Sequence, residues 1–81
     1  TLTRKEAMRR FQKVQPTELT VLRYLVAGFI NKQIARRMNV SERTVERRKN
    51  RLLEATNTNS ILETIELARK AEIDLQLNSQ T

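Results

Sequence analysis

Proline and glycine, the two residues that most often interrupt helices, occur once each among the 81 residues of this chain. Pro16 suits the first position of a helix, and Gly28 suits the position just after the end of one. The apolar residues between them recur at helical spacing, namely Leu19, Leu22, Leu25 and Val26. Because no segment alternates between apolar and polar residues, we expect an all-α fold.

Residues that favour helix ends predict four further helices. Thr3 and Ser60 are each followed three residues later by a glutamate, which is the spacing of a capping box. Asn31 and Ser41 can each cap the helix that follows them. The predicted helices cover residues 3–13, 31–38, 42–55 and 60–71. The polar residues 78–81 are expected to form a disordered tail.

Apolar side chains that share one face of each predicted helix form the expected core. They are Met8, Phe11, Val14, Leu19, Leu22, Leu25, Val26, Ile34, Ala35, Met38, Val45, Leu52, Ala55, Ile61, Leu62, Ile65 and Ala68. A core of this size suits one small domain, in agreement with the length of the chain.

The absence of histidine and cysteine removes most of the chemistry that catalytic and metal sites use. Disulfides, thiol nucleophiles, zinc sites and imidazole acid–base catalysis are excluded. Glu42 and Glu46 lie on an exposed cationic helix, which is a poor place for a catalytic carboxylate pair. We therefore expect no enzymatic activity, no metal and no cofactor.

Positive charge is concentrated in the middle third of the chain. The whole chain has 16 Lys and Arg against 9 Asp and Glu, a net charge of +7. Residues 23–51 contain nine basic and two acidic residues, whereas residues 1–22 have a net charge of +3 and residues 52–81 of −3. Such a basic segment indicates an anionic partner, with nucleic acid ahead of a membrane surface. No apolar run approaches the roughly 18 residues that cross a bilayer, so we expect a soluble, cytoplasmic protein.

Residues 31–50, NKQIARRMNVSERTVERRKN, have the internal spacing of a helix-turn-helix. Ala35 is small where the second helix crosses close to the first, and Asn39 occupies a turn position where φ is usually positive. A DNA major groove admits one helix, and Arg, Asn and Glu side chains pair with the edges of guanine, adenine and cytosine. The outward face of the second helix carries such side chains at Arg43, Glu46, Arg47, Asn50 and Arg51.

The stretch from Val14 to Ala71 resembles the LuxR/NarL/FixJ-type DNA-binding domain of bacterial transcriptional regulators. The residues that match the family pattern are Glu18, Val21, Leu22, Gly28, Asn31, Lys32, Ile34, Ala35, Ser41, Thr44, Val45, Leu62 and Ala68. The resemblance implies a four-helix domain over residues 14–77, preceded at 1–13 by an interdomain linker or an extra helix. It also implies that the third helix, residues 42–55, enters the major groove and that the fourth, residues 60–71, pairs two protomers.

The resemblance assigns roles position by position. The base-reading positions are matched by Glu46, Arg47 and Asn50, to which helical geometry adds Arg43. The phosphate-holding positions are matched by Lys32, Ser41, Thr44 and Arg48, to which we add Arg51 from helical geometry and Asn31. A candidate dimer surface on the fourth helix is formed by Ile61, Ala68 and Leu75. Glu46 either accepts from a cytosine amino group or tethers Arg43 or Asn50 on its own helix.

Several positions depart from the family pattern. Gln15 is a weaker cap than the usual threonine, and Ile30 leaves the capping of the next helix to Asn31. Thr56 and Thr58 stand where apolar residues are usual. We therefore expect the end of the third helix and the docking of the fourth to differ from the pattern.

Sequence-specific binding of double-stranded DNA by a homodimer is the leading hypothesis for function. Because the chain opens at Thr1 rather than Met, and because residues 1–13 resemble the linker of FixJ-like response regulators, we expect control by an N-terminal receiver domain. A small-molecule sensor domain is the second choice for that module, and RNA polymerase is a further possible partner. The alternative function is a sigma-like or adaptor module that binds protein and has only non-specific affinity for DNA.

Overall fold

The computed structural model describes residues 2–77, and within that range every regular element is an α-helix. The five helices are α1 (Arg4–Phe11), α2 (Pro16–Val26), α3 (Asn31–Met38), α4 (Glu42–Thr56) and α5 (Ile61–Lys70). The all-α prediction is therefore confirmed. The tail predicted at residues 78–81 lies outside the described residues. None of the helices between residues 2 and 77 is long and apolar enough to cross a membrane.

Three of the helices begin as their capping residues predict. The hydroxyl oxygens of Thr3, Ser41 and Ser60 each accept a hydrogen bond from the backbone N–H three residues later, at 3.0 to 3.2 Å. Asn39 ends α3 in the left-handed conformation, with φ of 59° and ψ of 47°, as the turn of the helix-turn-helix requires. Gly28 follows α2 with φ of 95°, which only glycine adopts without strain.

The start of α3 differs from the prediction, because Asn31 does not cap it. Ile30 occupies the N-cap position, and Gln33 Oε1 accepts a hydrogen bond from the Ile30 N–H at 3.0 Å. Glu18 does the same for the Gln15 N–H at the start of α2, also at 3.0 Å. In both helices the side chain at the third position thus replaces a strong cap. The Asn31 side chain is consequently released for another contact.

Two apolar clusters hold the helices together, and α4 is anchored in both. The larger one joins α1, α2, α4 and α5 through Ala7, Phe11, Leu22, Leu52, Leu67, Ala68 and Ala71. The smaller one joins α2, α3 and α4 through Val21, Ile34, Ala35 and Val45. Burying each large aliphatic side chain contributes about 1.5–3 kcal/mol. Because Val45 and Leu52 lie in different clusters, both halves of α4 are fixed to the rest of the domain.

Three of the predicted core residues are instead exposed, namely Met8, Leu62 and Val26, which is the last residue of α2. The inward stripe of α5 consists of Thr64, Leu67 and Ala68 together with Ala71, which are spaced for a single helix face. Leu62 precedes this stripe by two residues, so it projects from another side of the helix and is 66% exposed. Met8 on α1 is 42% exposed for the same reason, since Ala7 and Phe11 define the buried face.

The helix predicted over residues 3–13 is α1, which packs against α4 and α5. Its Arg10 reaches the end of α4, where Nη1 donates to the backbone oxygens of Thr56 at 3.1 Å and Asn57 at 3.4 Å. Carbonyls at the C-terminal end of a helix lack hydrogen-bond partners within the helix. A cation placed there is also attracted by the negative end of the helix dipole. Residues 4–11 are thus part of the packed unit that carries α4.

Candidate nucleic-acid interface

The four predicted base-reading residues lie together on the outward face of α4. Arg43, Glu46, Arg47 and Asn50 are all exposed, while Val45 on the opposite face is fully buried. Their spacing of three, four and seven residues places them along one stripe of the helix. A helix of 15 residues is about 22 Å long, and its width fits the major groove of B-DNA. The stripe can therefore face a row of base edges.

The arginines of this face have no acidic partner. Among residues 2–77 no carboxylate lies within ion-pair distance of Arg43, Arg47, Arg48 or Arg51. Elsewhere in the chain arginines do pair, as Arg4 does with Glu72 at 3.0 Å. An unpaired guanidinium group can bind a phosphate or a guanine without first losing an ion pair within the protein. The charge of α4 is thus available to an external anion.

A shallow notch of about 290 Å³ lies between the start of α2 and the flank of α4. It is lined by Gln15, Thr17, Glu18, Thr44, Arg47, Arg48 and Arg51. The notch thus brings together four predicted DNA contacts whose hydroxyl and guanidinium groups can donate to a phosphate. The carboxylate that also lines it, Glu18, is already bonded to the Gln15 N–H. Sequence reasoning missed Gln15 and Thr17 as neighbours of this site, although Pro16 already marked the helix start between them.

Ser41 and Thr44 are linked in a way that leaves only one of them free to donate. The Ser41 hydroxyl accepts from the Thr44 N–H and donates to Thr44 Oγ1, both at 3.0 Å. The Thr44 hydroxyl proton is not used in this pair. Thr44 can therefore donate to an external oxygen, while Ser41 serves mainly to hold the first turn of α4.

Glu46 is held across the motif by Asn31 as well as along its own helix by Lys49. Its Oε1 accepts from Asn31 Nδ2 at 2.7 Å and lies 3.7 Å from Lys49 Nζ. The predicted tether to Arg43 or Asn50 is therefore wrong, because the first turn of α3 supplies a closer donor. Lys49 was missed as a partner, although its spacing from Glu46 is that of a helical ion pair. Neighbouring Lys32 is exposed on the first turn of α3.

The basic segment 23–51 does not form one continuous surface. Arg23 Nε donates to the backbone oxygen of Asp74 at 2.9 Å, at the C-terminal end of the described chain. The Arg37 guanidinium lies 4.9 Å from the centre of the Phe29 ring, a cation–π contact. These two arginines support the fold, so the charge summed along the segment overstates what α4 and its surroundings offer to a ligand.

The predicted dimer surface is only partly accessible. Ala68 is fully buried in the larger apolar cluster and cannot contact a partner in this conformation, because residues of α1, α2 and α4 share that cluster. Ile61 and Leu75 are half-buried and pack against the same cluster. The outward face of α5 presents Leu62 instead.

Comparison with known proteins identifies the family of this chain. The family model described as bacterial regulatory proteins, luxR family, matches residues 15–68. The positive transcription regulator of virulence factors BvgA from Bordetella pertussis is 47% identical over 53 residues, which are 65% of this chain and 25% of that protein. The Fimbriae Z protein of Escherichia coli is 39% identical over 56 residues, 69% of this chain and 27% of that protein. The tetrathionate response regulatory protein TtrR of Salmonella typhimurium is 33% identical over 64 residues, 79% of this chain and 31% of that protein.

The match to the family covers the parts of the structure that form the candidate interface. Residues 15–68 include all of α2, α3 and α4 and most of α5. The chain spans only 25% to 31% of the length of these three relatives. No solved structure matches it at a significant level. The chain belongs to the LuxR family of bacterial regulatory proteins, as a helix-turn-helix domain that serves DNA-binding transcription regulation and not catalysis.

Proposed function

We propose that α4 lies in the major groove of double-stranded DNA and reads the sequence of an operator. The observation that carries this proposal is the row of exposed, unpaired arginines on a helix whose opposite face is anchored in two apolar clusters. A helix that is anchored on both halves holds its side chains in fixed positions relative to one another, and recognition of a base sequence requires such fixed positions. The alternative, a sigma-like or adaptor module, needs no such register.

The proposed roles follow the position of each side chain. The base-reading residues are Arg43, Glu46, Arg47 and Asn50. The phosphate contacts are made by Lys32, Thr44, Arg48 and Arg51, with the notch beside α2 receiving one phosphate. Ser41 was expected at a phosphate as well, but its hydroxyl proton is bonded to Thr44. Asn31 was also expected at a phosphate, but one of its amide hydrogens already serves Glu46. We therefore assign it a different role below.

Selection of duplexes from a random pool tests whether α4 reads sequence. We expect an enriched motif, followed by tighter binding of that motif than of a scrambled duplex in an anisotropy titration. Equal affinity for every duplex would contradict sequence-specific binding and favour the adaptor alternative.

Two substitutions separate base reading from phosphate contact. Arg47→Ala removes a base contact, so we expect a loss of about 1–3 kcal/mol on the selected motif and relaxed specificity at one position. Lys32→Ala removes a phosphate contact, so it should weaken binding to all duplexes alike. Arg69→Ala on the last turn of α5 removes the same charge as Arg47→Ala and should leave both readouts unchanged. If Arg47→Ala and Lys32→Ala behave identically, the assignment of the groove face is wrong.

We further propose that the domain works as a homodimer and is controlled by a receiver domain N-terminal to it. Support for the receiver domain comes from the relative TtrR, which is named a response regulatory protein and is about three times as long as the matched region. Support for the dimer comes from the exposed apolar Leu62 on α5. Contact between the DNA-bound dimer and RNA polymerase would then link binding to transcription.

A further inference from the structure

Glu46 is the one acidic residue in the proposed base-reading set, and its position needs an explanation. A carboxylate that faces DNA meets the repulsion of the phosphates, so it must gain a compensating interaction in the groove. The fold also restrains it, because Asn31 at the start of α3 donates a hydrogen bond to one oxygen of the carboxylate. Both observations point to a specific acceptor role.

The two oxygens of this carboxylate have different surroundings. Oε1 receives the Asn31 amide hydrogen at 2.7 Å and lies near the Lys49 ammonium group. Oε2 has no hydrogen-bond or ion-pair partner among the residues that the structure describes. The side chain as a whole is 51% exposed. One oxygen is thus fixed from within the protein, and the other is presented outward as an unshared acceptor.

The major groove offers few donors to such an acceptor. Guanine and thymine present only acceptors there, besides the thymine methyl group. Adenine presents an amino group beside the N7 acceptor, which repels a carboxylate, whereas the amino group of cytosine has no acceptor next to it on the same base. A carboxylate that can use only one oxygen therefore selects cytosine.

We propose that Asn31 positions Glu46 so that Glu46 Oε2 accepts from the N4 amino group of a cytosine, which makes cytosine the required base at one operator position. Asn31 is then a positioning residue on α3, acting on specificity through a side chain of α4. This inference rests on the proposed function, since it requires α4 to lie in the major groove.

The test repeats the random-duplex selection with Glu46→Gln, a variant that keeps the shape of the side chain. Because Asn31 bonds the oxygen on its side, the glutamine would present its NH2 group to the groove, and this group cannot accept from the cytosine amino group. We expect the preference for cytosine at a single position to fall by about 5- to 150-fold, in line with the usual effect of one mismatched pair. All other positions should keep their preferred bases.

Asn31→Ala tests the positioning role in the same selection. We expect weaker discrimination at the same position only, and the double variant Asn31→Ala with Glu46→Gln should have the base profile of Glu46→Gln alone. Asn59→Ala removes an exposed amide from the loop before α5 and should leave the profile unchanged. Thermal melting by circular dichroism confirms that each variant is folded.

The outcomes separate this inference from the function on which it rests. If the unmodified domain enriches no motif, sequence-specific binding itself fails. If it enriches a motif but Glu46→Gln keeps the same base at every position, only the cytosine assignment is overturned. If Asn31→Ala retains full discrimination while Glu46→Gln loses it, the positioning role of Asn31 is overturned.

Discussion

Three threonine hydroxyls form a chain at the corner between α4 and α5. Thr56 Oγ1 lies 2.8 Å from the Leu52 oxygen and 3.0 Å from Thr58 Oγ1, which in turn lies 2.6 Å from Thr64 Oγ1. Each hydroxyl has one proton to donate. Thr56 donates to the Leu52 carbonyl, and Thr64 Oγ1 also lies 3.0 Å from the Ser60 oxygen, so the proton of Thr64 serves either that carbonyl or Thr58. Since Thr56 and Thr64 are fully buried, loss of one hydroxyl leaves another group unpaired.

Thr64→Val tests this hydrogen-bond chain. Valine has nearly the same shape, so the main change is the loss of a hydroxyl that serves Thr58. We expect the free energy of unfolding to fall by about 1–3 kcal/mol, measured by urea denaturation. The matched control is Thr20→Val on α2. The Thr20 hydroxyl donates to the Pro16 carbonyl at a more exposed site, so its loss should lower the free energy of unfolding by less than about 0.5 kcal/mol. Equal effects of the two substitutions would argue against the chain.

The contact of Arg10 with the C-terminal end of α4 shows that α1 helps to hold α4 in place. Arg10→Ala removes the donor to the Thr56 and Asn57 carbonyls, so we expect the last turn of α4 to fray. The free energy of unfolding should fall by about 1–2 kcal/mol in chemical denaturation. Arg9→Ala on the same helix removes an exposed arginine that pairs only with Glu6, and it should cost less than about 0.5 kcal/mol.

The helices could be predicted from sequence because each signal is local. Ser41 caps α4 and Asn39 closes α3 within a few residues of the groups they serve. The contacts that could not be predicted join residues distant in sequence, since they depend on how the helices cross. Asn31 contacts Glu46 across the turn, and Ala68 is buried in a cluster to which α1, α2 and α4 also contribute. The prediction that Ala68 lies on an accessible dimer surface was wrong for that reason. The exposure of one stripe of α4, in contrast, could be predicted from residue spacing alone.

At the scale of the whole molecule, the number of cations that contact phosphates predicts how DNA affinity depends on salt concentration. Arg23 and Arg37 bond within the domain, so the proposed interface uses fewer cations than the segment contains. With about five phosphate contacts, the slope of log K against log salt concentration should be about −4 to −5. Anisotropy titrations between about 50 and 200 mM salt measure this slope. A slope near zero would contradict phosphate binding by α4 and the notch.

Pairing of two domains through the outward face of α5 makes a second prediction about the whole molecule. Leu62 is the most exposed large apolar residue among residues 2–77, and a two-fold contact through it would place two copies of α4 on successive half-sites. Leu62→Gln removes the apolar contact without adding charge. We expect it to weaken binding to a duplex with two half-sites while leaving affinity for a single half-site unchanged.

Met8→Gln provides the matched control, because Met8 is also an exposed apolar residue but lies on α1. It should affect neither duplex, since the proposed contact involves only α5. If Leu62→Gln weakens both duplexes equally, the residue acts on folding or on direct DNA contact. If it weakens neither, Leu62 does not pair the protomers.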